Sequence, residues 1–111
     1  MKGHHVGEFE ELVLLALHGL ADEAYGVAIQ QVLAREARRS VSLGAVYAAL
    51  ERLEEKGLAR SEARAGTAIR GGRSRRVFAL TAEGLKSLDT MRRVRERLYN
   101  IAGFHPAKGR P

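Results

Sequence analysis

The chain has 111 residues, which is enough for one domain and too few for most large enzymes. Its 19 Lys and Arg residues outnumber its 13 Asp and Glu residues, and the resulting net charge of +6 favours a polyanionic partner. It contains no cysteine, which excludes disulfides, thiolate metal sites and a cysteine nucleophile. It also contains no tryptophan. No apolar segment reaches membrane-spanning length, so we expect no membrane partner. The lack of cysteine agrees with a cytoplasmic location.

The first predicted helix begins at Glu8, after a loose N-terminal arm at 1–6. Its apolar residues recur at spacings of three and four: Phe9, Leu12, Val13, Ala16, Leu17 and Leu20. Leu14 and Leu15 widen this apolar face, which predicts that the helix is buried or meets a second subunit.

Two further helices are predicted before the pattern changes from that of helices to that of a hairpin. Asp22 is expected to cap a second helix from about Tyr25 to Arg38, and Ser42 is expected to cap a third. The third helix has an apolar stripe of Leu43, Val46, Tyr47, Leu50 and Leu53. It is predicted to end at Gly57, as a left-handed C-terminal residue.

A hairpin follows, with strands predicted at 58–64 and 76–80 around a glycine-containing loop at 65–74. One acidic residue, Glu62, accompanies its six arginines: Arg60, Arg64, Arg70, Arg73, Arg75 and Arg76. Because guanidinium groups match phosphate oxygens, this composition predicts contact with a nucleic-acid backbone. The alternative is a solvated loop.

Thr81 is expected to cap a last helix that runs to about Ala102 and ends at Gly103. Its apolar residues form a narrow seam typical of a coiled coil: Leu85, Leu88, Met91, Val94, Leu98 and Ile101.

This order of elements predicts a mostly α fold with a small β-hairpin, namely a winged helix-turn-helix plus one C-terminal dimerisation helix. The expected division is an arm at 1–6, the DNA-binding domain at 7–81, the dimerisation helix at 82–103 and a flexible tail at 104–111. The third helix would enter the major groove, and the wing would lie along the backbone or in the minor groove.

The start of the third helix carries small side chains that are expected to be exposed: Ser42, Gly44, Ala45, Ala48 and Ala49. Small residues allow close approach to base edges, and alanine can contact a thymine methyl group. This face predicts strong phosphate contacts and modest direct readout of bases. Tyr47 and Tyr25 are each compatible with a phosphate contact or with packing.

Other functional classes have little support in the sequence. The four histidines are scattered, without the spacing of a metal site, and no nucleophile–base pair or phosphate-binding loop is present. We therefore predict no metal, no cofactor and no enzymatic activity. The main alternative is a winged-helix protein–protein interaction module without specific DNA binding, although such modules usually lack a wing this basic.

Three segments resemble the PadR family of bacterial transcriptional regulators: LVLLALHGLADEAYGVAIQQ, VSLGAVYAALERLEEKGL and GGRSRRVFALTAEGLKSL. They carry an aromatic–glycine pair at Tyr25 and Gly26 and a serine–x–glycine start at Ser42 and Gly44. They also carry Tyr47 with its spaced leucines, and an aromatic–x–Leu–Thr–x–x–Gly segment from Phe78. Ala45 and Ala48 stand where the family often has threonine and proline.

The resemblance implies a homodimeric DNA-binding repressor acting on a pseudo-palindromic operator, with a small-molecule effector as a further option. The chain is similar to the short, LmrR-like subfamily but lacks the tryptophan that binds drugs there. The residues expected to contact DNA are Tyr25, Ser42, Gly44, Ala45, Tyr47, Ala48, Arg64, Arg70, Arg73, Arg75 and Arg76. Those expected at the dimer interface are Phe9, Leu12, Leu85, Leu88, Met91, Val94, Leu98 and Ile101.

Overall fold

The computed structural model describes residues 5–64 and 75–104. It contains three helices, an antiparallel hairpin and a final helix, so the predicted fold class is confirmed. The elements are α1 (Glu8–Leu20), α2 (Gly26–Glu36), α3 (Leu43–Glu55), β1 (Ala59–Arg64), β2 (Arg75–Leu80) and α4 (Ala82–Ile101). The predicted loop at 65–74 lies outside the described residues, as do most of the predicted arm and tail.

The ends of α3 and α4 are set by local chemistry, as predicted. The Ser42 hydroxyl accepts a hydrogen bond from the Ala45 N–H at 3.0 Å, and the Thr81 hydroxyl accepts one from the Gly84 N–H at 3.0 Å. At the other ends, Gly57 and Gly103 adopt φ values of 75° and 92°, which end the two helices in left-handed turns.

The start and end of α2 differ from the prediction. Asp22 lies in a short 3-10 turn at Ala21–Glu23 and does not cap α2, whose N-cap is Tyr25. The helix stops at Glu36 because Arg38 has a φ of 55°, which turns the chain so that the Arg39 N–H donates to the Leu33 carbonyl. Helical periodicity could not show this, since arginine has no preference for the left-handed region.

One core joins α1, α2 and α3 under the hairpin and the start of α4. Its largest fully buried side chains are Val13, Leu14, Leu17, Ile29, Val46, Leu50 and Leu53. Ala49 also belongs to this core, with no exposed surface, so its predicted place on the exposed face of α3 is wrong. It lies one turn before Leu53 and faces the core with it.

The hairpin is held to the helices through the segment that precedes α2. Its strands pair from Ala59 with Leu80 to Arg64 with Arg75. On the far side of β2, Tyr25 forms an isolated antiparallel bridge with Val77, and the Phe78 N–H donates to the Ala24 carbonyl at 3.0 Å. The chain before α2 therefore fixes the wing beside the start of that helix. Among the described residues, no helix combines the length and hydropathy needed to cross a bilayer.

Candidate nucleic-acid interface

Residues from α2, α3 and β2 meet in one shallow depression, which we call the basic concave surface. Its lining residues are Tyr25, Gly26, Val27, Ala28, Gln31, Tyr47, Arg75 and Arg76. Four of the predicted DNA contacts, Tyr25, Tyr47, Arg75 and Arg76, are thus placed together. Because the two arginines lie on a fixed strand, their charge is held next to the helix-turn-helix.

The exposed face of α3 carries small side chains in its first two turns, as predicted. Ser42, Gly44 and Ala48 are exposed and Ala45 is half-buried. The Ser42 hydroxyl already accepts the capping hydrogen bond, so in this structure it acts first as a helix cap. The remaining surface offers backbone and methyl groups rather than hydrogen-bonding side chains, which suits close approach more than base-specific readout.

Tyr47 packs within the chain and also remains accessible from outside. Its ring packs against Phe78 with centroids 6.2 Å apart, yet 40% of the residue remains exposed. The far end of the ring crosses Gly26 so closely that a Cβ there would lie 2.5 Å from the Tyr47 hydroxyl. Gly26 is therefore required for this placement of Tyr47, and sequence reasoning had only the family resemblance to indicate it.

The described wing arginines have different partners. The guanidinium of Arg76 contacts Ser61 and lies 3.7 Å from the Glu54 carboxylate. That of Arg64 donates to the Asp22 carbonyl at 3.3 Å and to Glu62 at 3.4 Å. The neighbouring Tyr25 hydroxyl and the Glu62 carboxylate raise the pKa of Arg64. Arg70 and Arg73 lie outside the described residues.

Arg75 is stacked rather than ion-paired. Its guanidinium carbon lies 4.5 Å from the centroid of the Tyr25 ring, and no ion pair joins it to a carboxylate in the described part of the chain. The nearby N-terminus of α2 has no acidic residue in its first turn and no side-chain cap. The positive end of the helix dipole thus adds to the arginine charge, and this region favours an anion.

The residues predicted at a dimer interface divide into two groups. Leu85, Val94, Leu98 and Ile101 are exposed, by 50%, 40%, 59% and 82% respectively. Leu88 is buried, and three others are half-buried against the core of the same chain: Phe9, Leu12 and Met91. The first group leaves an open apolar stripe on α4, whereas the second already packs within the chain.

A groove separates α1 from α4 beside this stripe. Leu15, Leu85, Leu88 and Tyr99 supply its apolar surface. At its edge, Arg95 donates to the Glu11 carboxylate at 2.6 Å, and this hydrogen bond raises the pKa of Arg95. Sequence reasoning identified the seam but not this ion pair, which joins residues far apart in the chain.

Sequence reasoning also missed the buried carboxylate of Glu10, in the first turn of α1. Its oxygens accept hydrogen bonds from Arg52 at 2.8 Å and Lys56 at 2.7 Å, and one accepts from the Gly7 N–H at 3.2 Å. This cluster joins the start of α1 to the end of α3. The sequence contained one signal for this cluster, namely the three-residue spacing from Gly7 to Glu10, which is that of a capping box.

Comparisons with known proteins give a consistent result. Residues 14–90 match the model of the transcriptional regulator PadR-like family. The chain is 42% identical to the transcriptional regulator Rv3488 of Mycobacterium tuberculosis over 83 residues, 74% of this chain and 73% of that protein. It is similar to the crystal structure of a PadR-like transcription factor from Bacteroides fragilis, with a TM-score of 0.71, 30% identity and 85% of each chain covered. Bacillus subtilis PadR in complex with operator DNA shares the fold, with a TM-score of 0.60 and 17% identity over 75% of this chain and 46% of that one. The matched proteins are regulators rather than enzymes.

Proposed function

This chain belongs to the PadR-like family of transcriptional regulators, and we propose that it acts as a repressor that binds a specific operator in double-stranded DNA. We assign DNA binding to residues 7–81, dimerisation to 82–103 and no catalytic role to any residue. The neighbour of the same fold that is bound to operator DNA supports this reading.

The observation that carries the proposal is the basic concave surface. It brings Arg75 and Arg76 of the wing beside the N-terminus of α2 and the partly exposed Tyr47. Phosphate contacts from such groups hold a protein in register on a duplex. The exposed face of α3, with its small side chains, then meets the base edges. Arg70 and Arg73, which lie between β1 and β2 in the sequence, would add further phosphate contacts.

We propose that the regulator is a homodimer built on the exposed stripe of α4. Leu85, Val94, Leu98 and Ile101 are apolar side chains that a second copy would remove from water, which is the main driving force for association. A two-fold dimer presents two copies of α3, so the operator is a pseudo-palindrome with half-sites about 10 base pairs apart.

A small-molecule effector would occupy the groove between α1 and α4. The apolar surface of the groove and the ion pair at its edge suit an apolar ligand with a polar group. Because the groove adjoins the proposed dimer stripe, a ligand there would act on the spacing of the two α3 helices. A compound screen in which nothing shifts DNA affinity would contradict this part of the proposal.

The test is fluorescence anisotropy with the DNA upstream of the chain's own gene and a scrambled duplex, across a salt series. We expect tighter binding to the upstream DNA and a steep decrease of affinity with salt, because phosphate contacts release counterions.

Ala48→Glu should lower affinity at least tenfold, since it places a carboxylate on the exposed face of α3. Ala82→Glu makes the same change at an exposed alanine in the first turn of α4 and should leave binding intact.

Each outcome decides between functions. Equal affinity for the two duplexes would contradict sequence-specific regulation from this promoter. Absence of binding to either duplex at low salt would overturn the proposal in favour of a protein–protein interaction module. Equal loss in both glutamate variants would show that net charge, and not the face of α3, determines affinity.

A further inference from the structure

We propose that Tyr25 is a positioning residue that holds Arg75 opposite Arg64, so that the two arginines form a paired clamp for one backbone phosphate group of duplex DNA. The inference rests on the proposed function and adds to it a residue that acts through another. We call Arg64 and Arg75 the wing-base arginines, since they form the last described pair of the hairpin.

The wing-base arginines lie directly opposite each other in the β1–β2 register. Like charges at directly opposed positions of an antiparallel pair destabilise it. Glu62, two residues before Arg64 and on the same face of the strand, offsets only part of this charge. The pair therefore leaves a local excess of positive charge that an anion would neutralise.

Tyr25 contacts one member of this pair directly. Its ring lies under the guanidinium of Arg75, whose carbon is 4.5 Å from the ring centroid, and the strand register places Arg64 directly opposite Arg75. A stacked guanidinium keeps its N–H groups directed outward in its own plane, where they can donate to phosphate oxygens. The ring thus holds a cation whose own stem is long and flexible.

The tyrosine is itself well fixed. Its backbone bridges to Val77, two residues after Arg75 on the same strand, and it is the N-cap of α2. The adjacent Ala24 carbonyl accepts from the Phe78 N–H. Because Tyr25 is bridged to the strand that carries Arg75, the ring and the guanidinium lie on neighbouring backbone segments. Ordering Arg75 before binding reduces the side-chain entropy that a phosphate contact costs.

The position favours phosphate over a protein carboxylate. Arg75 has no ion pair within residues 5–64 and 75–104, and the first turn of α2 beside it has no acidic residue. Its neighbours on the basic concave surface are Tyr47 and Arg76, the surface that the proposed function gives to DNA.

Four variants test the proposal in the same anisotropy assay: Tyr25→Phe, Tyr25→Leu, Arg75→Gln and the double variant Tyr25→Leu/Arg75→Gln. Arg75→Gln should weaken binding to both duplexes and lower the magnitude of the salt slope by about 0.9, which corresponds to one phosphate contact. Tyr25→Leu should lower the slope by at least as much, although it removes no charge. Tyr25→Phe retains the ring under Arg75 and should recover most of the affinity.

The double variant isolates the coupling. If Tyr25 acts through Arg75, the double variant binds about as tightly as Tyr25→Leu alone, and the two effects are not additive. Arg93→Gln removes one exposed positive charge on α4 and should leave the slope unchanged. Urea unfolding of each variant separates lost binding from lost folding, and Arg75→Gln alters an exposed side chain outside the core.

The two proposals fail in different ways. A wild-type chain that binds neither duplex would overturn the proposed function and this inference with it. A wild-type chain that binds its upstream DNA, together with a folded Tyr25→Leu variant of unchanged salt slope, would overturn the inference alone. Full additivity of Tyr25→Leu and Arg75→Gln would also overturn it.

Discussion

At the scale of single residues, Glu10 is the most constrained charged group of the described chain. It is the one charged or polar residue that is buried among those described, with 6% of its surface exposed. Burial on its own raises the pKa of Glu10, but the hydrogen bonds from Lys56, Arg52 and the Gly7 N–H outweigh it and lower that pKa from 4.5 to about 2. The ionised form thus belongs to the folded state.

This shift predicts a pH dependence of stability. Since the folded-state pKa is depressed, the contribution of Glu10 is fully present above pH 4.5 and is lost as the pH falls towards 2. Its magnitude is roughly 3 kcal/mol, at about 1.4 kcal/mol per pKa unit. Glu10→Gln should remove this dependence and lower the free energy of unfolding at pH 7. Urea unfolding at several pH values measures both effects.

Glu51→Gln is the matched control, because Glu51 is an exposed glutamate on α3. It should reproduce the pH profile of the wild type within about 0.5 kcal/mol. If Glu10→Gln and the wild type lose stability in parallel between pH 4.5 and 2, the carboxylate does not stabilise the fold in the way described.

At the scale of elements, the joint between β1 and α4 depends on close backbone contact. The Thr81 N–H donates to the Leu58 carbonyl at 3.1 Å, and the Thr81 hydroxyl donates to the Gly57 carbonyl at 2.7 Å. Gly84, in the first turn of α4, lies against the same Leu58 carbonyl, and a Cβ there would be 2.0 Å from its oxygen. The segment that follows α3 and the start of α4 are therefore joined through the backbone and the Thr81 hydroxyl.

Gly84→Ala should destabilise the protein by about 2 kcal/mol or more. The added methyl group meets backbone rather than a flexible side chain, so the helix must shift, and this cost exceeds the gain of about 1 kcal/mol from replacing glycine in a helix. Thermal unfolding measures the change.

Gly19→Ala provides the comparison, since a Cβ at Gly19 meets nothing within 4 Å and the residue lies in α1. It should be neutral or stabilising. Equal melting temperatures for the two alanine variants would contradict the close contact at Gly84.

At the scale of the whole molecule, α4 extends beyond the core that holds its first half. Leu88 is buried at 8% exposure, whereas Leu98 and Ile101 are exposed by 59% and 82%. The helix is therefore attached to its own chain at one end and presents apolar side chains at the other. This distribution supports the proposed homodimer and indicates which part of the seam a second copy would cover.

Val94→Glu should convert the dimer to a monomer, because it places an uncompensated charge in an apolar interface. Analytical ultracentrifugation measures the mass directly. The fold of the monomer should remain, since Val94 is 40% exposed in the single chain. Arg93→Gln changes the neighbouring residue, which pairs with Asp89 on the same helix, and should remain dimeric. A Val94→Glu variant of dimer mass would place the interface elsewhere.

The sequence by itself determined the features that depend on neighbours in the chain. The caps at Ser42 and Thr81 and the left-handed turns at Gly57 and Gly103 follow from interactions across a few residues, and helical periodicity located the elements between them. The order of those elements, together with the family motifs, was enough to predict the winged helix-turn-helix. The excess of arginine predicted a polyanionic partner, because net charge can be counted from the sequence alone.

Tertiary structure alone decided what depends on contacts between distant segments. It placed Ala49 in the core, packed Leu88 and Met91 of the α4 seam within the chain, and gave Glu10 its partners on α3. It also brought Tyr25 under Arg75, 50 positions later in the chain. A periodic pattern shows which face of a helix is apolar but not what covers that face. A charged residue is predicted from the sequence to be solvated, because the sequence does not show which distant residues the fold places beside it.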